Sequence, residues 1–207
     1  MAAFSDRPDT FKGYRFLVID TKDINAMAAP SGFIFISRGL LQQTQSEDEL
    51  AGVLAHEVAH VVYSHGVKAV SQSKLTKAVT IIGKEVAAEY TPALLSEVTD
   101  MFTESVDEIT ETLLTSGYSR SQEYSADEYA VTLLTRAGYD PGALRRVLER
   151  LTKVGASTKE MGGWYATHPD PEDRVESLDD PAPPSPLLQT GIRVRTARFN
   201  GSLQGVR

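Results

Sequence analysis

The chain has 207 residues, 41% of them hydrophobic and 24% charged, a balance that suits one globular domain, or one with an appendage, and excludes global disorder. A formal net charge of −7 argues against a nucleic-acid partner, and the absence of cysteine removes disulfides, thiolate metal sites and cysteine nucleophiles while leaving the redox compartment open. No apolar run approaches the roughly 20 residues of a membrane span, and Met1 to Gly13 lacks the apolar core of a signal peptide.

In chain order, "YRFLVID" (14–20) and "GFIFIS" (32–37) carry the aromatic and β-branched enrichment of strands. The small residues between them, "NAMAAPSG" (25–32), suggest an edge strand or a turn. "SEDELAGVLAHEVAHVVYSHG" opens with Ser46 and Glu49 at capping-box spacing, has acidic residues in its first turn and closes at Gly66, which predicts a helix from Ser46 to about His65. Apolar residues at three- and four-residue steps from Leu75 to Val86 and from Leu95 to Leu113 predict a helical hairpin with Pro92 near its joint. A further helix is expected from Ser121 to Ala137, stopping at Gly138. Asp140 with Pro141, and Asp170 with Pro171, announce two more helices as N-cap and first helical residue. After the stiff connector "DPAPPSP", "GIRVRTARF" alternates like a strand. The expected fold is α+β and predominantly helical, with a domain over 1–180 and a connector and tail over 181–207.

His56, Glu57 and His60 form an HExxH pattern in a chain with four histidines. Four helical residues turn through about 400°, so the two imidazoles lie on one face and can chelate a single ion. Imidazole nitrogen suits Zn²⁺, and a catalytic site keeps three protein ligands and one open place. Glu57 beside the pair can take a proton from the attacking water, which points to metal-assisted hydrolysis. The bland alternative, a chance match, sits poorly with Val53, Ala55, Val58, Ala59, Val61 and Val62 around it, because unpaired imidazoles in an apolar helix are expensive. Glu123 is the best candidate for the third ligand, with Asp127 four residues on to orient a ligand imidazole; alone, such an acidic pair is more often a solvated helix face.

"NAMAAPSGFIFISRGLL", "HEVAHVVYSH", "SRSQEYSAD" and "THPDPEDR", in this order, resemble the zinc metallopeptidase family that contains HtpX and the type I CAAX prenyl endopeptidases. The blocks span Asn25 to Arg174, most of the chain. The resemblance implies a gluzincin fold holding one Zn²⁺ per chain, with His56, His60 and Glu123 as ligands, Glu57 as general base and Asp127 in support. It also implies that Asn25, Ala26, Met27 and Ala28 form an edge against which a polypeptide substrate lies, which makes physical sense because an open edge binds any sequence through its backbone. Without a membrane span the chain looks most like the soluble bacterial members of the cell envelope, in the periplasm, which act on unfolded or misassembled proteins.

His65 lies too far around the helix to share the ligand face, and reads as support for a ligand or for the helix end. Three roles compete for His168: donor to the oxyanion of the reaction, fourth zinc ligand that keeps the site latent, or loop histidine without part in catalysis. The resemblance favours the latch. Tyr118, Arg120 and Arg174 are left outside the catalytic set. The rival to an enzyme is a peptidase fold serving as chaperone or assembly module with a closed zinc site. The oligomeric state is not legible.

Overall fold

The computed structural model describes residues 1–10, 13–29, 31–68, 117–157, 164–168, 171–180 and 182–203. The hairpin expected between Leu75 and Leu113, and Pro169 with Asp170, lie outside them.

The sheet is small. β1 (Arg15–Ile19) runs parallel to β3 (Phe33–Ser37), and β2 (Ala26–Ala28) runs antiparallel to β3 on its other side, in the order β1-β3-β2. Alternation along β3 buries Ile34 and Ile36 in the core and puts Phe33 and Phe35 on the opposite face, stacked on one another. β2 is an edge in the pairing, as its small residues suggest.

β3 leads into α1 (Arg38–Gln43), capped by the Ser37 hydroxyl, which accepts from the Leu40 N–H. Gly39 packs directly on the chain that enters β2: a Cβ there would stand 2.1 Å from the Lys22 carbonyl oxygen and 2.4 Å from that of Asp23. Gly39→Ala must push backbone aside, at about 3 kcal/mol. A melting temperature roughly 10 °C lower is expected by calorimetry; a change within about 2 °C would show that the segment yields freely.

α2 (Glu47–Val62) is the central element, buried along nearly its whole length between α4 (Arg120–Arg136) and α5 (Ala143–Ser157). Ser46 caps it by accepting from the Glu49 N–H, and Glu47, Asp48 and Glu49 place negative charge against the positive end of the helix. The Glu49 carboxylate reaches back to the Gln45 N–H and pairs with Arg150 of α5. Gly52 lets α5 approach closely, since a Cβ would meet Leu144 backbone at 3.0 Å. Ala55, Val58 and Ala59 pack with Ala126, Ala130, Leu133 and Leu134 of α4.

α2 ends at Val62 rather than near His65. Ser64 takes a positive φ of 55°, and the chain restarts in the short α3 (His65–Lys68), with Gly66 inside it. α5 begins two residues later than Pro141 suggests, although Asp140 does cap the turn, its side chain accepting from the Gly142 N–H. α6 (Trp164–Thr167) and α7 (Pro171–Ser177) follow.

The tail corrects the sequence reading. Residues 186–202 form α8 (Pro186–Ser202), not a strand, started by the Ser185 cap and Pro186 in the first turn. Nine residues of alternation were too short a window. The longer period brings Arg195, Arg198, Phe199 and Leu203 to one side, where Arg195 makes two hydrogen bonds to the buried Asp48 carboxylate and Arg198 pairs with Glu47. Phe199 and Leu203 cluster with Leu41. Tertiary contacts with the first turn of α2 therefore decide this helix. Among the described residues, no helix is long and apolar enough to cross a membrane.

Candidate metal centre

α2 sets the first two donors. His56 Nε2 and His60 Nε2 are 3.0 Å apart, one helical turn separating their residues. A capping box between Ser119 and Gln122 fixes the start of α4, which places Glu123 in the first turn with its carboxylate against both imidazoles. Glu123 Oε2 lies 3.4 Å from His56 Nε2, and Oε1 lies 3.4 Å from His60 Nε2. His168, following α6, brings Nδ1 to 3.3 Å from His56 Nε2 and 3.1 Å from Glu123 Oε1. These four donors lie within 4.8 Å of one another, and each residue is at most 1% exposed.

The spacing suits an ion. Donors held 2.0–2.1 Å from one tetrahedral cation stand roughly 3.3 Å apart, and the close pairs here are 3.0–3.4 Å. Neighbouring polar atoms also lack hydrogen-bond partners although buried: both Glu57 carboxylate oxygens, His168 Nε2 and the Tyr118 hydroxyl. Such groups are costly unless something polar meets them. Glu57 Oε1 is 3.3 Å from His168 Nε2, so the carboxylate lies beside the donor set.

Around the donors stands a supporting layer. His56 Nδ1 donates to Asp127 Oδ1 at 2.8 Å, which leaves Nε2 as the coordinating nitrogen. The break at Ser64 brings His65 back toward the centre, its Nδ1 3.0 Å from His60 Nδ1. A continuous helix would have turned it away, as its spacing suggested. Tyr118 stacks on His60 with ring centroids 3.8 Å apart, and Trp164 stacks on His168 at 4.2 Å.

Arg174, set aside from the sequence, is fully buried at the heart of this layer. Its Nε and NH2 donate to the two Asp127 oxygens at 2.8 and 2.7 Å, and NH1 lies 2.8 Å from Glu123 Oε2. The NH1 contact lacks hydrogen-bond alignment and is an ion pair. A signal was present: Pro171, Arg174, Val175 and Leu178 are spaced like the inward stripe of a helix, so Arg174 occupies a core position. Arg120, by contrast, pairs with Asp173 at the surface.

Opposing effects of burial and neighbouring charge act on the donors and their supports. Burial and Arg174 push the His56 imidazole down, but Asp127 and Glu123 reverse this and raise it to about 9. Burial holds His60 well below the usual imidazole range and takes His65 to about 4. Burial raises the Glu57 carboxyl, whereas at Glu123 and Asp127 the same effect is overcome, chiefly by Arg174, and both are lowered. A divalent cation would supply the charge that these carboxylates favour.

The edge residues lie close to this centre. The Asn25 side chain accepts from the Thr167 hydroxyl at 3.2 Å, and Met27 is half-buried. Ala26 and Ala28 are 2% and 3% exposed and pack in the core, while Ile24, Asn25, Met27 and Ala29 are half-buried. A cleft of about 250 Å³ beside it is lined by Asn25, Met27, Phe35 and Ser37. A larger one, about 580 Å³, near Glu128, Arg145 and Leu178, contains none of the donors.

A helix bearing HExxH, packed against a second helix that offers Glu123 and Asp127 and joined to a small sheet, defines a metallopeptidase of the gluzincin type. The chain belongs to peptidase family M48, whose profile matches residues 1–182. It is 30% identical over 181 residues to a Vibrio cholerae protein named as a beta-barrel assembly-enhancing protease, covering 85% of this chain and 36% of that one. It is 28% identical over 165 residues to the mitochondrial metalloendopeptidase OMA1 of Arabidopsis thaliana, covering 80% and 31%. Against the beta-barrel assembly-enhancing protease of Escherichia coli K12 it is 27% identical over 167 residues, covering 78% and 33%. The chain thus spans about a third of the length of these relatives.

Proposed function

We propose that this chain is a zinc-dependent endopeptidase domain, formed by residues 1–180, that hydrolyses peptide bonds of unfolded or misassembled proteins and is held latent by His168. The observation that carries the reading is the buried group of His56, His60, Glu123 and His168, whose donor atoms lie within 4.8 Å of one another, with the Glu57 carboxylate beside it. Three of these donors would hold one zinc ion, which when bound polarises the scissile carbonyl and makes water acidic enough to deprotonate near neutral pH. Glu57 takes the proton as water adds to the carbonyl carbon, and hands it to the departing amine nitrogen as the C–N bond breaks. Asp127 and His65 keep His56 and His60 in orientation, and the main chain of 25–28 receives the substrate as an added strand. Two relatives are named for beta-barrel assembly, and bacterial beta-barrels are outer-membrane proteins. We therefore place the domain in the periplasm of a bacterial envelope, with chains that have not completed their sheet as substrates.

A second reading, a binding module whose zinc site stays shut, draws support from His168 in the fourth donor place. One experiment separates the two. Zinc-loaded protein is given an unfolded, fluorescently labelled polypeptide, with His168→Ala beside the parent chain. Cleavage at least about tenfold faster in the variant is expected, a shift of roughly 1.4 kcal/mol between closed and open states. Loss of cleavage would make His168 an oxyanion donor instead, and equal inertness of both proteins with zinc bound would leave the binding module.

A further inference from the structure

Two hydrogen bonds tie the short helix before His168 to the start of β2. The Trp164 N–H donates to the Ile24 carbonyl at 2.6 Å, and the Thr167 hydroxyl donates to Asn25 Oδ1 at 3.2 Å. The first of these occupies a particular row of backbone groups. Ser37 N–H donates to Asn25 O and Ala29 N–H to Phe33 O, so the groups of residues 25, 27 and 29 turn toward β3. Those of Ile24, Ala26 and Ala28 turn the other way, along the row where an extended chain adds to the strand.

Trp164 and His168 are bound to one another. The His168 N–H donates to the Trp164 carbonyl at 2.6 Å, and the indole stacks on the imidazole at 24° between planes. Thr167 O in turn accepts from the Tyr118 N–H, fastening the piece to the start of α4. The contacts that hold His168 at the centre and those that fill the Ile24 carbonyl thus belong to the same five residues.

We infer that residues Trp164 to His168 are an internal occupant of the peptide-binding edge, and that an extended polypeptide displacing Trp164 from the Ile24 carbonyl withdraws His168 from the metal centre in the same movement. The inference rests on the latent-endopeptidase reading and names its trigger, the substrate main chain itself. The exchange at Ile24 swaps one backbone hydrogen bond for another and is nearly neutral. The bond from Thr167 to Asn25 joins two side chains, so an incoming main chain does not replace it in kind, and it biases the piece toward the closed state. The same hydroxyl lies 3.3 Å from the Trp164 carbonyl within the piece, so Thr167→Val removes the tie to Asn25 and that internal contact while replacing neither a donor residue nor Glu57.

The test uses the Glu57→Gln protein loaded with cobalt(II), whose visible bands report the number and geometry of ligands, titrated with reduced, carboxymethylated lysozyme as unfolded probe. Binding is followed in parallel by the anisotropy of the same probe carrying a fluorescent label. The bands are expected to change with the midpoint seen by anisotropy, and Thr167→Val to lower that midpoint about 3- to 10-fold at unchanged cobalt content, the range a single neutral hydrogen bond confers. Binding without a change in the bands, no binding, or an unshifted midpoint would each overturn the inference. If the bands respond while the zinc-loaded Glu57 parent cleaves nothing, the endopeptidase reading falls and the coupling between edge and centre stands.

Discussion

Glu57→Gln is expected to lower the cleavage rate by roughly 10³-fold in the His168→Ala background, with zinc content and substrate affinity unchanged. The substitution keeps size and shape and removes the negative charge together with the ability to accept a proton. Glu57 is fully buried, and its carboxylate has no hydrogen-bond partner, only the 3.3 Å approach of Oε1 to His168 Nε2, which the His168→Ala background removes. Burial raises the carboxyl, which makes it a better proton acceptor than a surface glutamate. A thousandfold loss corresponds to about 4 kcal/mol of transition-state stabilisation. A variant that retains more than a tenth of the activity would mean that water loses its proton elsewhere, and one that loses zinc would make Glu57 a structural group.

Arg174→Met carries the second large effect, on stability and metal affinity together. The guanidinium serves two buried carboxylates at once, with two hydrogen bonds to Asp127 and an ion pair to Glu123, and is 0% exposed. Methionine fills much of the volume and leaves both carboxylates without their cation. Removing one partner of a buried ion pair costs about 3–5 kcal/mol, and for a chain of this size the metal-free protein should melt roughly 10 °C lower. Zinc affinity should fall about 10- to 100-fold, because Asp127, without the two hydrogen bonds from Arg174, is no longer fixed against His56 Nδ1. Competition with a chromogenic chelator measures that affinity. Unchanged melting and unchanged affinity would show that the carboxylates find other partners.

The donors were legible because a helix converts spacing into direction. His56, Glu57 and His60 on one turn, and Glu123 with Asp127 on another, are local statements that folding preserves. The strands at 14–20 and 32–37 were legible for a similar reason, each carrying its own aromatic and β-branched enrichment. What was not legible depended on partners far away. The tail was read as a strand because Asp48 and Glu47, which anchor Arg195 and Arg198, lie about 150 residues earlier in the chain. Arg174 was set aside because an arginine alone looks like surface; only the apolar stripe around it marks it as inward. His65 needed a break at Ser64 that no glycine or proline announces.

The distance along the chain between the parts of the centre has a consequence for how it is made. A polypeptide grows from its N-terminus, so His56, Glu57, His60 and Glu123 exist before either His168 or Arg174 has been synthesised. Arg174 follows His168 by six residues in the sequence. The cation that settles the two buried carboxylates thus arrives only after the imidazole that fills the fourth donor place. On a ribosome, the two helices gain the support of Arg174 only after the histidine between them has been made.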